Sequence, residues 1–303
     1  MNRRWVRNTI GVVLVAIGII ALLQYQFGGV KSKEYAHTLQ LENKLQELSI
    51  TSDSLGLEVD FVPSTDGSNS VHVEGKAKPE VIDQIKNARV ENGRLNLRLK
   101  EKWHFGLFDF SGWNEKQIVT VSLTEEAMAS LEALKVNSDS GSVRVNGAKA
   151  AAGVVKSDSG SIKLGSFEGG TLSLKSDSGS IKLESFKGSS LSINSDSGSI
   201  HAGTVLAELS ASSDSGSITI DHLSGKAVVR SDSGSIRIGK DDTTGADVKS
   251  DSGSVRIEIP ASYGGMFDLD SDSGSIHKPE QQGTSGEVIK VRTDSGSIRI
   301  SQP

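Results

Sequence analysis

The chain has 303 residues, a formal net charge of −5 and no cysteine. Without cysteine there are no disulfides, no thiolate metal sites and no lipid-bearing thiol. The mild acidic balance argues against general nucleic-acid binding, and 33 glycines beside only 5% aromatic residues suit a narrow core filled by small and branched side chains.

Residues 1–30 read as a cytoplasmic tip followed by a transmembrane anchor. Ile10 to Leu23 is an unbroken apolar run, counting glycine, and Thr9 to Phe27 extends it to 19 residues. That is close to the ~20 residues a helix needs to cross a bilayer. Arg3, Arg4 and Arg7 precede the run, so the N-terminus is expected to stay cytoplasmic and the rest of the chain to lie outside. The competing reading is a cleaved signal peptide. The bulky Leu23-Gln24-Tyr25 that ends the run supplies no small-x-small cleavage site.

Residues 31–49 carry Tyr35, Leu39, Leu41, Leu45 and Leu48 among charges. The spacing is roughly helical and predicts a juxtamembrane helix or linker. Residues 50–124 read as irregular N-terminal coils. Leu55, Leu57, Val59 and Phe61 alternate, as do Val71 and Val73, then Leu95, Leu97 and Leu99, then Val119, Val121 and Leu123. Short helices are expected at Glu80–Ala88 and Glu125–Leu134, the second with Thr124 as its N-cap. Between them, Trp103, Phe105, Phe108, Phe110 and Trp113 place five of the chain's 14 aromatics in eleven residues. The segment reads either as a plug over an open end or as a surface that grips a membrane or a partner.

Residues 125–303 carry the dominant signal. The tag Ser-Asp-Ser-Gly-Ser opens at Ser138, Ser157, Ser176, Ser195, Ser213, Ser231, Ser250 and Ser271, and once more at Thr293 with Thr in first place. The steps are 19, 19, 19, 18, 18, 19, 21 and 22 residues. Taking each Asp as origin, positions −3, +4 and +6 are apolar in nearly every copy, with Lys278 the one break in the +6 row. Apolar parity is odd before the Asp and even after it. A straight strand cannot change parity, so the tag is a bend whose Gly is expected to supply a special φ. Asp and Ser are expected to bond their own backbone there.

A fixed period near 20 with strand patterning predicts an all-β, single-stack parallel β-solenoid of about 19-residue coils, preceded by one transmembrane helix. Stacking lines the Asp residues up in a row. The +5 row points outward and is mostly basic: Arg144, Lys163, Lys182, His201, Thr219, Arg237, Arg256, His277 and Arg299. A calcium ladder is the alternative use of the Asp row, but one carboxylate and two hydroxyls per coil fall short of the six to eight oxygens Ca²⁺ takes. The histidines are scattered, no Gly-x-Ser-x-Gly elbow or phosphate loop occurs, and no pair has metal-ligand spacing. No enzyme, cofactor or metal site is therefore expected.

LEVDFVPS at 57–64, VHVEG at 71–75, NGRLNLRLK at 92–100 and the repeated SDSGSI resemble a bacterial β-strand-repeat domain of unknown function termed a putative adhesin. The similarity is greatest to LiaG-like, membrane-anchored members, and it covers Leu48 to the end. The resemblance implies a cell-surface protein with a role in envelope stress. The expected partners are membrane lipid at the anchor and an envelope protein or glycan at the solenoid, with no nucleic acid. An adhesin binding wall polymer or glycan is the alternative, and a glycan-acting enzyme the remotest reading. At the C-terminus, the last strand at Ser297–Ile300 predicts an open end. Either residues 280–287 fold across it or copies of the chain meet there end to end.

Overall fold

The computed structural model describes residues 32–41, 44–100, 116–280 and 283–302. The expected anchor and the aromatic segment Trp103–Trp113 lie outside these. Among the described residues no helix is long and apolar enough to cross a membrane.

The chain enters through β1 (Lys33–Gln40), β2 (Glu47–Ser52), β3 (Gly56–Pro63) and β4 (Ser70–Ala77). Helix α1 (Pro79–Lys86), β5 (Val90–Glu91), β6 (Arg94–Leu99), β7 (Lys116–Leu123) and α2 (Glu125–Ala129) follow. The regular coils are β8 (Ala133–Ser138), β9 (Val143–Asn146), β10 (Ala148–Ser157), β11 (Ile162–Ser176), β12 (Ile181–Ser195) and β13 (Ile200–Ser213). They continue through β14 (Ile218–Ser224), β15 (Ala227–Ser231), β16 (Ile236–Lys240), β17 (Ala246–Ser250) and β18 (Val255–Glu258). The last strands are β19 (Met266–Ser271), β20 (Ile276–His277), β21 (Val288–Thr293) and β22 (Ile298–Ser301).

Coil pairs with coil in parallel and in register. Ile162 faces Ile181, Leu164 faces Leu183 and Ser176 faces Ser195. The −3, +4 and +6 rows are buried along the regular coils, and one contiguous apolar core runs the length of the stack. The second corner of each coil adds the row Ala148, Phe167, Phe186, Val205 and Leu223. The tilted rings of Phe167 and Phe186 have centroids 6.0 Å apart. Such rows are the unit of sheet stabilisation, because each level covers the apolar face of the one before it.

Stacking order departs from chain order at both ends. β2 lies between β6 and β8, and β3 lies between β7 and β9. Its turn, Ser52-Asp53-Ser54-Leu55-Gly56, is a degenerate tag: Ser52 faces Ser138 and its Oγ donates to Leu55 O at 3.0 Å. The sequence shows that tag once the level is known. At the far end β21 pairs with both β17 and β19, and β22 with both β18 and β20. The Thr293 coil is thus inserted beneath the Ser271 coil. This corrects the expectation that Ser297–Ile300 forms the open end: that strand is internal. The exposed level is β19 and β20, where Met266 and Ile276 are over 40% exposed and Leu269 is half-buried. Residues 259–265 carry the chain past the skipped level, pinned by Tyr263, whose Oη donates to Met266 O at 3.2 Å.

The segment expected as a juxtamembrane helix or linker supplies strand β1 at Lys33–Gln40. β1 pairs antiparallel with β4, and β4 pairs antiparallel with β7. Tyr35, His37 and Leu39 face one side with period two, and the pairing overrides the helical spacing of Tyr35 and Leu39. The N-terminal end is thereby closed. α1 buries Val81, Ile82 and Ile85 against the first level, and β4 continues the sheet. The two expected helices are present. α2 is capped as predicted, with Ala127 N–H donating to Thr124 Oγ1 at 3.2 Å, but it stops at Ala129.

Candidate functional site: the outward cation row

The tag fixes where every outward side chain stands. Its first Ser shares the odd parity of position −3 and is buried, as at Ser157, Ser176, Ser195, Ser213, Ser231 and Ser250. Ser195 shows what this row does: Gly198 N–H donates to its Oγ at 3.0 Å, and that Oγ donates to Gly179 O, one coil back, at 3.3 Å. The same pair of bonds recurs from coil to coil, and Thr293 makes it with its own hydroxyl. The bend is therefore held by Ser. The expectation that the tag Gly supplies a special φ is corrected, since no tag glycine has a positive φ. The Gly is needed for close approach. A Cβ on Gly198 would stand 2.2 Å from Gly179 O.

The Asp and second Ser face solvent, parity flips, and the strand resumes with a β-branched residue buried at +4. With +4 and +6 both in the core, +5 is driven outward. Register then aligns Arg144, Lys163, Lys182, His201, Thr219, Arg237, Arg256, Arg299 and His277, in that spatial order. Neighbours on the row are one strand spacing apart, about 4.8 Å. The structure thus brings all six predicted cations, Arg144, Lys163, Lys182, Arg237, Arg256 and Arg299, onto one line, as two triads separated by His201 and Thr219.

The two charged rows are treated differently. The Asp row runs Asp53, Asp139, Asp158, Asp177, Asp196, Asp214, Asp232, Asp251, Asp294 and Asp272, following the pairing of the tags. Adjacent carboxylates at ~4.8 Å repel by roughly 0.9 kcal/mol even at the dielectric of water. Cations offset part of this. Lys175 lies 3.3 Å from Asp177 and Lys249 lies 2.9 Å from Asp251. Lys100 closes the end of the row, 3.1 Å from Asp53 and 3.0 Å from Asp139. Its hydrogen bonds to Asp139 and Asp53 hold its pKa above the usual lysine value.

The cation row has no such compensation. All six of its Arg and Lys residues are exposed, and none forms an ion pair or a hydrogen bond among the described residues. At the near end Glu58 is in register with Arg144 but engages Lys116 instead. Of the two histidines, His201 reaches Asp221 at 3.3 Å. The exposed third Ser of the tag runs beside the row on one side, as at Ser142, Ser180, Ser199, Ser217, Ser235, Ser254 and Ser297. On the other side stand Glu184, Asp221 and Glu258, on alternate levels with Gly165, Gly203 and Gly239.

No group of three or more His, Cys, Asp or Glu able to hold a metal occurs among the described residues. At the tag the first Ser hydroxyl is buried and already bonded, so each tag presents a single carboxylate. A further charged group escaped the sequence reading. Lys240 occupies the place of Leu223 in the corner row, and its side chain is wholly buried. Its Nζ lies 2.6 Å from Asp242 Oδ1, and donates to Thr244 Oγ1 at 2.7 Å and to Gly225 O. Burial pushes its pKa below the ordinary lysine value. The signal was there, because Lys240 sits at the parity of Ile236 and Ile238.

A family profile described as Toastrack DUF4097 matches residues 45–301. No curated protein matches the chain. Among solved structures, one described as a putative adhesin from Bacteroides fragilis shares 15% identity at a TM-score of 0.46, covering 90% of this chain and 100% of that one. Another so described, from Parabacteroides distasonis, shares 16% at 0.47, covering 89% and 98%. A third, from the same organism and described as a putative lipid binding protein, shares 18% at 0.47, covering 88% and 96%.

Proposed function

We propose, for a chain that belongs to the Toastrack DUF4097 family, a non-catalytic role as a membrane-anchored protein that displays its solenoid outside the cell as an interaction module. One observation carries this reading: six exposed cations stand in line on the in-register stack, and none of them forms an ion pair among the described residues. Fold stability alone would favour pairing them, since like charges in register destabilise a sheet. An uncompensated row is suited to a partner that brings the opposite charge. The anchor rests on Arg3, Arg4, Arg7 and the apolar run behind them. The setting in envelope stress rests on the family resemblance. Trp103, Phe105, Phe108, Phe110 and Trp113 belong to the proposal as a second contact surface, on the strength of their density in the sequence.

The native chain has no cysteine, so a single introduced thiol reports topology without background. Ser178 is an exposed tag residue. In intact cells, Ser178→Cys should react with a membrane-impermeant maleimide, while Asn2→Cys should react only after lysis. Protection of Ser178→Cys until lysis would overturn the placement.

A further inference from the structure

We infer that the outward cation row is a track for a linear acidic polysaccharide, one that carries an anionic group on each sugar ring and lies along the stack axis. The inference rests on reading the solenoid as an interaction module and names that module's partner.

Three features lead there. The first is pitch. Backbone register, and not side-chain chance, sets the row, so Arg144, Lys163 and Lys182, then Arg237, Arg256 and Arg299, recur at one constant step. A pyranose ring is close to one solenoid level in length. A polymer charged at every ring therefore meets each triad in register, while one charged at every second ring leaves half the cations bare.

The second feature is lateral definition. Glu184, Asp221 and Glu258 border the row on one side, and the Asp row lies across the tag on the other. An anionic chain is thereby confined to the strip over the cations and the serine hydroxyls between them. Those hydroxyls donate and accept, which suits the hydroxyl groups of a sugar.

The third feature is what flanks the cations. Among the described residues, the serine row and the row of Gly165, Gly203 and Gly239 place no aromatic ring beside them. Single-stranded nucleic acid is held by stacking platforms as well as charge. Double-stranded DNA presents a charge every ~1.7 Å along its axis, far denser than the row.

The test uses the full-length chain in a neutral detergent, with binding followed by calorimetry from 50 to 300 mM salt. The probes are polygalacturonate, charged at every ring; hyaluronan, charged at every second ring; neutral dextran; inorganic polyphosphate; and oligodeoxythymidylate. Polygalacturonate should bind with log K falling against log salt at a slope of about −4, if six cations engage a single-stranded polyanion. Hyaluronan should bind at least tenfold more weakly, and dextran not at all. Replacing Arg237, Arg256 and Arg299 with Ser should halve the slope and lower affinity tenfold or more. Replacing Lys149, Lys187 and Lys226, three exposed lysines off the row, removes the same charge and should change affinity less than twofold. Melting curves for both variants establish that the stack persists.

Equal weakening by the two triple variants would overturn the track in favour of net charge. Polyphosphate or oligodeoxythymidylate binding as tightly as polygalacturonate would overturn the polysaccharide. Absence of polygalacturonate binding at 50 mM salt would overturn both. Surface labelling of Ser178→Cys is read separately, so loss of the track leaves the placement outside the cell standing or falling by itself.

Discussion

A single methyl group at a tag glycine should split the stack. In Gly198→Ala the new Cβ would lie 2.2 Å from Gly179 O, 2.5 Å from Gly179 C and 2.8 Å from Ser180 N, all backbone atoms of the neighbouring level. Ordinary contact begins at 3.4 Å, so the approach is about 1.2 Å too close. No rotamer relieves it, and the two levels must part. The bonds that tie them, Ser197 N–H to Asp177 O at 3.0 Å and Ser195 Oγ to Gly179 O at 3.3 Å, then stretch out of hydrogen-bonding range. Overpacking of this kind costs about 1–3 kcal/mol, and an unmade buried hydrogen bond a further ~1–3 kcal/mol. The expected loss is about 3 kcal/mol, a fall in melting midpoint of roughly 5 °C for a chain of this size. Thermal unfolding by far-ultraviolet circular dichroism measures it. Gly286→Ala is the control, because its Cβ meets nothing within 4 Å and its φ is ordinary. If Gly198→Ala melts together with Gly286→Ala and the native chain, close approach is not what the tag glycine provides.

Five further outcomes can be checked by the same unfolding measurement or by sedimentation. Ser195→Ala removes both bonds of a buried hydroxyl and should cost about 1–2 kcal/mol, whereas Ser195→Thr should be tolerated because Thr293 makes the same bonds. Asp242→Ala leaves the buried Lys240 ammonium without its carboxylate and should cost about 3 kcal/mol, while Lys240→Met should be neutral or stabilising. Burial lowers the Lys240 pKa below 10.5. In the window just below that value the unfolded chain holds more protons, so the native protein should gain stability relative to Lys240→Met as pH rises through it. Lys100→Ala should lower the melting midpoint at low ionic strength, with the difference closing in 1 M salt, because it exposes Asp53 and Asp139 to each other. Ile276 caps the exposed end level, beyond which no strand pairs among the described residues. Ile276→Lys should suppress any concentration-dependent association at that edge, and an unchanged sedimentation profile in an associating sample would show that copies meet elsewhere.

The exposed end matters for how such a stack is kept finite. One end is finished by antiparallel β4 and β1 and by α1. The other carries no strand beyond β19 and β20 among the described residues, and there the apolar rows thin out: Leu269 is half-buried, Ile276 is exposed, and Lys278 replaces the +6 residue and lies 5.5 Å from the ring centroid of Phe267. Tucking the C-terminal coil one level inward places a complete level, with Val291, Ile298 and Ile300 buried, between the regular stack and this weaker one.

From the sequence alone came the parallel stack, the parity switch at the tag and the outward direction of Arg144, Lys163, Lys182, Arg237, Arg256 and Arg299. These follow from local rules: side chains alternate with period two, and near-identical repeats must superpose if they pair at all. The buried Ser row and Lys240 obey the same parity and were legible too. Tertiary structure decided the rest. Coils bearing the same tag are interchangeable as neighbours, so nothing local says that Thr293 should stack on Ser250 ahead of Ser271; residues 259–265, which carry the chain past the skipped level, allow it. The spacing of Tyr35 and Leu39 is compatible with a helix until β4 offers its edge. The reason for the tag glycine appears only when the next coil's carbonyl is in place, because the constraint lies between levels and not within one.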